Sequence, residues 1–541
     1  MTLLPKNRFS SAVTATILQV IFSLVIIFTT IDLRTIAVSA GQSTANSAAL
    51  KKIQDLVERN QLDAAERQLW EIVTREPENA PAIRVLGTIR MLQKRFPEAE
   101  ALFKRTLVIA PDSAGGYRNL GELYALQNRR DEAITAFLKA HDLEPKDIKT
   151  SLELGKLYQE AGEFQHSIEI IDAIPSAQRP SAVLPILASD YFGLKQPEKV
   201  AALAPLVQRD AATNLSLVPK FARVLTENGF VDDAEELLKS TSERQKSTPD
   251  YLMVLARVQE LQGQLPLAER TLARVSRMDP KSFDAYFQAA RVASKQNDFK
   301  GESTLLTSAL ALRPDDAETL HHLVLARMRA GIPVQAVSAA QHLYSLQPDD
   351  PDAVYLLAAA LANHAEWHDA RPIAEKLVKL RDDVASHVVF GMVLLNDGDI
   401  EGASQQVERA LTRNPDETEA HYYKGVIARQ HGDLPGAIKE MEIVVAANPK
   451  HVLAQGELGT LSMQTGDVEG ARKAFEQAVA VRPDVAENHY QLALAYGRLG
   501  LQDKAREQMV EFQKLRKAAD AAKAQGTASG EAPGNKPPPQ R

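Results

Sequence analysis

The sequence predicts an all-α protein built as a stack of helical hairpins, and three observations lead there. Prolines recur at a fixed interval: Pro77, Pro111 and Pro145 are 34 residues apart, as are Pro280, Pro314 and Pro348, and again Pro415, Pro449 and Pro483. Between them, bulky and small residues keep fixed offsets. Residues 114–147 carry Tyr117, Leu120, Gly121 and Tyr124 at i, i+3, i+4, i+7, which is one helical face. A polar turn, Gln127–Asp131, follows, then Ala133, Phe137 and Ala140, then Pro145. Finally, the length of 541 residues exceeds what one compact core supports, so an extended array is the natural outcome.

In chain order, Lys6 and Arg8 precede an uncharged run, Phe9–Ile31, long enough to cross a bilayer as a helix. Its most apolar part, Ile17–Phe28, also has the length of a signal-peptide core, and Val38–Ala40 offers small residues for cleavage before Gly41. Residues 1–45 are therefore expected to be a membrane anchor or a signal segment. Either way the rest of the chain is placed outside the cytoplasm, because the basic flank stays inside. That gives two expected locations: single-pass in an inner membrane with a periplasmic repeat domain, or released to the periplasm.

From about residue 46 to about 517 one register holds, giving about 14 units of helix–turn–helix. Residues 46–180 form the first four. In each, proline ends the second helix, since it lacks an amide donor and restricts the residue before it. Gly121 lets two helices approach, and Ala133 and Ala140 leave space for Phe137. Residues 181–214 break the pattern, with Pro180, Pro185 and Pro205 out of register. Pro185 and Pro219 suit a first helical turn. Pro205 falls inside the expected second helix and should kink it, at roughly 3 kcal/mol if unrelieved. Residues 215–517 resume the pattern: Phe390, Gly391, Ala403, Ala410; then Leu458, Gly459, Ala471, Phe475, Ala478; then Leu492, Ala493, Tyr496, Ala505, Phe512. Residues 518–541 lack bulky apolar groups towards their end and are expected to be disordered.

Period, small positions and terminal proline together resemble the tetratricopeptide repeat family over about 470 residues. The resemblance implies a right-handed superhelical solenoid with a concave groove that binds peptides or partner proteins. Some members grip a C-terminal carboxylate with five groove residues. The matching positions here are Arg84, Thr88, Asn119, Lys149 and Glu153. Arg84, Asn119 and Lys149 fit that clamp, Thr88 departs from it, and Glu153 reverses the sign and would repel a carboxylate. Glu153 is also placed to pair with Lys149 one helical turn away.

Cysteine is absent, which removes disulfides, thiolate metal sites and cysteine nucleophiles. A net charge of −7 gives no basic footprint for nucleic acid. Phosphate-binding loops and nucleophile elbows are missing, and the repeats fill most of the chain, so no enzyme, cofactor or small-molecule substrate is expected. His364 and His368 are four apart but fall at a turn and read as solvated rather than metal-binding. The expected binding face lies on first helices of the C-terminal units: Tyr355, Val388, Met392, Tyr422, Arg429, Met463 and Tyr490. Tyrosine, methionine and arginine are enriched at interface centres. The leading expectation is a non-enzymatic scaffold for protein or peptide partners at a bacterial envelope, for example in export or assembly machinery. The alternatives are a periplasmic assembly chaperone and an accessory subunit that recruits an enzyme in trans.

Overall fold

A computed structural model describes residues 61–528, with positions 52, 53, 56, 57 and 59 before them; side chains are described as far as residue 521. The expected anchor or signal segment, residues 1–45, and the tail from residue 529 lie outside the described residues. Among the described residues every regular element is a helix, and none is long and apolar enough to cross a membrane. The last helix, Gln502–Ala528, carries helical structure past the expected boundary at 517.

The helices pair as antiparallel hairpins in the expected register: Ala80–Leu92 with Phe96–Ile109, Ala114–Leu126 with Arg130–Leu143, and so on to Ala486–Arg498 with Gln502–Ala528. A residue of positive φ stands between the two helices of each, from Lys94 (φ 61°) through Asn128 to Gly466 and Gly500. This left-handed residue lets the chain leave the first helix and enter the second in few steps. Aspartates then cap the second helices. Asp399, Asp433 and Asp467 each accept the amide of the glycine three residues on, at 2.9 Å.

Packing within several hairpins shares one device. Where the eighth residue of the first helix is glycine, it receives a bulky residue of the second. A Cβ at Gly121 would lie 2.7 Å from the Phe137 ring, at Gly459 2.6 Å from Phe475, and at Gly425 2.8 Å from Met441. Phe137 and Phe475 are fully buried. A second device, invisible to a search for apolar periodicity, is a histidine at the fourth position of three first helices. His387, His421 and His489 tie the second helix (Gln406, Glu440, Gln508) through Nδ1 at 2.6–2.7 Å. The Nε2–H groups of His421 and His489 donate to the carbonyls of Pro415 and Pro483.

Residues 181–214 show the expected distortion. Pro185 sits in the first turn of Leu184–Gly193. The second helix is cut into Pro197–Ala201 and Ala204–Asp210, with Pro205 in the first turn of the latter. Among the described residues the chain forms two compact bodies that divide after Thr271, and the distorted hairpin lies inside the first. The reason is packing: the Phe164 ring of the preceding hairpin lies against Gly193, where a Cβ would come within 2.4 Å of it, and Leu184–Gly193 also touches Leu217–Glu227.

Candidate functional site

Each first helix of the second body presents its fifth residue on the same face, one period apart: Phe287, His321, Tyr355, Val388, Tyr422, Gly456 and Tyr490. In this row Phe287, Tyr355, Tyr422 and Tyr490 are half-buried. The Tyr422 ring lies 5.2 Å from the Tyr423 ring, edge-on, and 5.2 Å from His451 of the next hairpin. Burial, with Glu457 and Glu419 adding to it, pushes its phenol up to about 12, so it stays a hydrogen-bond donor at any physiological pH. Burial likewise raises Tyr355, whose ring has the Arg381 guanidinium 5.6 Å away. Tyr490 rests on Phe512 at 5.2 Å.

The remaining expected residues divide. Met392 and Met463 are half-buried against the core, each with a flexible side chain at the surface. Arg429 is ion-paired with Glu457 at 3.1 Å, so its charge is partly met within the fold. Val388 is a correction. It is 4% exposed and belongs to the core between hairpins, so it has no surface to offer a partner. Phe287 and His321 belong to the same row and were missed. Stepping one and two periods back from Tyr355 finds His321 and Phe287.

In the first body the carboxylate clamp is not assembled. Asn119 is 6% exposed, and its Nδ2 donates to Thr88 Oγ1 at 2.9 Å. Its amide therefore closes onto the neighbouring first helix instead of facing a ligand. Lys149 is paired with Glu122 at 2.7 Å, and Glu153 with Lys156 at 2.8 Å, in place of the expected Glu153–Lys149 pair. Arg84 lies across Gly115, its guanidinium within 3.5 Å of where a Cβ would stand. His364 and His368 flank the turn at Ala365 and serve different partners: His364 meets Glu366 at 2.9 Å, while His368 is almost fully exposed.

The sequence matches the family described as Tetratricopeptide repeat over residues 50–114, 220–273 and 388–452, and again over 114–147; it matches the family described as TPR repeat over 459–500. A curated relative, TPR repeat-containing protein YpiA of Bacillus subtilis (strain 168), is 24% identical over 194 residues, 33% of this chain. The match spans about half, 46%, of that relative's length. Among solved structures, the APC/C hetero-tetramer Cut9–Hcn1 is similar at 13% identity and TM-score 0.40, covering 81% of this chain and 94% of that one. Yeast Tom70 is similar at 14% identity and TM-score 0.37, covering 82% and 99%. YrrB, described as a TPR protein with an unusual peptide-binding site, is similar at 20% identity and TM-score 0.28, covering 34% and 95%.

Proposed function

We propose, from the premise that this chain belongs to the tetratricopeptide repeat family, that it is a protein-interaction scaffold of a bacterial cell envelope, taking a segment of a partner protein along the first-helix face of its second body. The observation that carries the binding half is the row of half-buried rings, Tyr355, Tyr422 and Tyr490, which recur at the same helix position on every second hairpin. Tyrosine offers large contact area with few torsions to freeze, and its hydroxyl accepts a polar neighbour at the edge. Met392 and Met463 supply adaptable apolar walls beside them. Support for the envelope half is the basic flank Lys6 and Arg8 before the uncharged run Phe9–Ile31.

A cross-linked pull-down with the full chain tests both halves. Tyr422→Ala and Tyr490→Ala should each weaken capture of the partner by about 2 kcal/mol, or roughly thirtyfold, if they are central anchors. Since the rings also touch His451 and Phe512, thermal midpoints are measured alongside; stability lost with capture intact would make them packing residues only. The chain is expected in the membrane or periplasmic fraction, and a cytoplasmic location ends the envelope half. One defined complex supports the scaffold, whereas many unfolded clients indicate a chaperone and a single co-purifying enzyme an accessory subunit.

A further inference from the structure

The row of fifth residues has one gap. Gly456 stands where the hairpins on either side carry Tyr422 and Tyr490. Most glycines inside first helices are demanded by packing, as the close approaches at Gly121, Gly425 and Gly459 show. Gly456 is not. A Cβ there would meet nothing nearer than Asn488 Oδ1, at 3.9 Å. Glycine in a helix interior costs about 1 kcal/mol relative to alanine, so this residue destabilises its helix without relieving a clash. Gly497, on the face of Ala486–Arg498 that carries Tyr490 and Leu494, has nothing within 4 Å either. The floor between the tyrosines is therefore low.

The walls of this notch are apolar, and its rim is already neutralised. Leu453, one turn before Gly456, is 64% exposed, and Leu494, one turn after Tyr490, is 39% exposed. Arg429 pairs with Glu457, and His451 stands 3.4 Å from Glu419, so no charge is left facing the gap from those pairs. Thr460 spends its hydroxyl on the Gly456 carbonyl, at 2.9 Å. Two polar groups remain: Arg429 Nε, which faces Glu457 without making a hydrogen bond, and the Asn488 carboxamide. Asn488 is 9% exposed, and its Nδ2 is buried with no hydrogen-bond partner. Its other amide end is the atom nearest the notch, and the terminal torsion of asparagine is broad and roughly two-fold, so turning it over presents the N–H groups there.

We infer that the gap over Gly456 is a side-chain subsite, which takes one bulky apolar residue of an extended partner segment between Tyr422 and Tyr490 while the Asn488 carboxamide donates to that segment's backbone carbonyl. The inference rests on the reading of this face as the binding surface. A neutral, apolar notch with one buried amide donor fits leucine, methionine or phenylalanine and gives a charged side chain nothing to pair with.

The test uses the full chain and an immobilised library of short peptides in which a single position is fixed in turn as Leu, Met, Phe, Ser, Lys or Glu. Wild type should enrich the apolar three at one position. Gly456→Phe, which fills the gap, should remove that enrichment, and Gly456→Ala, for which there is room, should keep it with an unchanged or higher melting temperature. Asn488→Ala should weaken binding roughly fivefold without loss of stability, because its donor is unpaired in the free protein. Enrichment that survives Gly456→Phe, while Tyr422→Ala abolishes binding, overturns the subsite and leaves the surface standing. Binding unmoved by any of these variants removes both. Self-association of wild type in the ultracentrifuge, lost in Gly456→Phe, also overturns the inference, since the occupant is then a second copy.

Discussion

Hairpins 114–143 and 184–210 occupy the same register and are filled differently. In the first, Gly121 is closed by Phe137 of its own second helix, and every buried side chain of Arg130–Leu143 is apolar: Ala133, Ala136, Phe137 and Ala140. In the second, the glycine that is closed is Gly193, and the ring that closes it comes from the preceding hairpin, Phe164. Its own second helix is cut after Ala201, and its first helix buries a carboxylate, Asp190, at 0% exposure. Asp190 accepts from Ser167 Oγ at 2.6 Å and faces Gln159 Nε2 at 3.4 Å, both neutral. The contrast teaches that an array keeps its register through contacts between neighbours even where a hairpin has lost its internal partner.

The largest expected effect that tests this contrast is at Asp190. Burial, opposed only in part by Ser167 and Gln159, raises its carboxyl from 3.8 to about 6. A folded pKa above the unfolded one means that the folded state binds more protons between the two. The stability Asp190 contributes is thus fully present below about pH 4 and lost as pH rises through about 6, on the order of 2–3 kcal/mol. Hydrogen exchange of Leu184–Gly193 should therefore quicken from pH 5 to pH 8 beyond the intrinsic rate, and Asp190→Asn should flatten that dependence. The same slope in both proteins would mean that the carboxylate is paired or solvated.

The next effect is on the regular side. Gly121→Leu drives a side chain into the Phe137 ring, which is 1% exposed and has nowhere to retreat, at a cost of about 1–3 kcal/mol. Urea unfolding of the full chain should show it as a lowered midpoint, while Gly456→Ala leaves the midpoint level or raises it. Equal midpoints for Gly121→Leu and the parent would show that the closure of glycine by phenylalanine is slack and that the two hairpins differ less than their geometry implies.

Most of the fold was legible because its rule is local and periodic. Leu120, Gly121 and Phe137 each take part in contacts within one or two hairpins, and a 34-residue period displays them on a line with Pro145. The site was less legible for the same reason. Tyr422 and Val388 share one register position, and the sequence ranked them together. The structure separates them, leaving Tyr422 half-buried and Val388 at 4% exposure. Asn119 fits a clamp by register, yet its amide is taken up by Thr88 across 31 residues, a choice set by the distance between helices. Gly456 has no signal in a single hairpin; its meaning appears only when the rows above and below it are laid side by side. The chain past 517 continues as helix because alanine, the best helix former, dominates residues 518–528.

The smallest effect concerns the cut itself. Proline inside a helix was expected to cost roughly 3 kcal/mol at Pro205, yet proline alone does not sever a helix here: Trp367–Leu380 runs unbroken through Pro372. Across the cut, Ala202 (φ −67°, ψ −18°) and Leu203 (φ −82°, ψ −23°) keep nearly helical dihedrals. Val200, Leu203 and Val207 stay buried at helical spacing on one face. The Leu203 amide bonds Val200 O three residues back, and Pro205 falls in the first turn of the following piece, where its missing donor is least costly. The strain is thus already relieved by the offset. Pro205→Ala should let the 205 amide reach Ala201 and join the pieces for a gain of about 1 kcal/mol or less, seen as a small rise in helicity and slower exchange at residues 203–207. A gain near 3 kcal/mol would make the proline the cause of the distorted hairpin. A loss would mean that the neighbours, packed on either side, hold the offset in place and that the cut belongs to the way this hairpin joins the array.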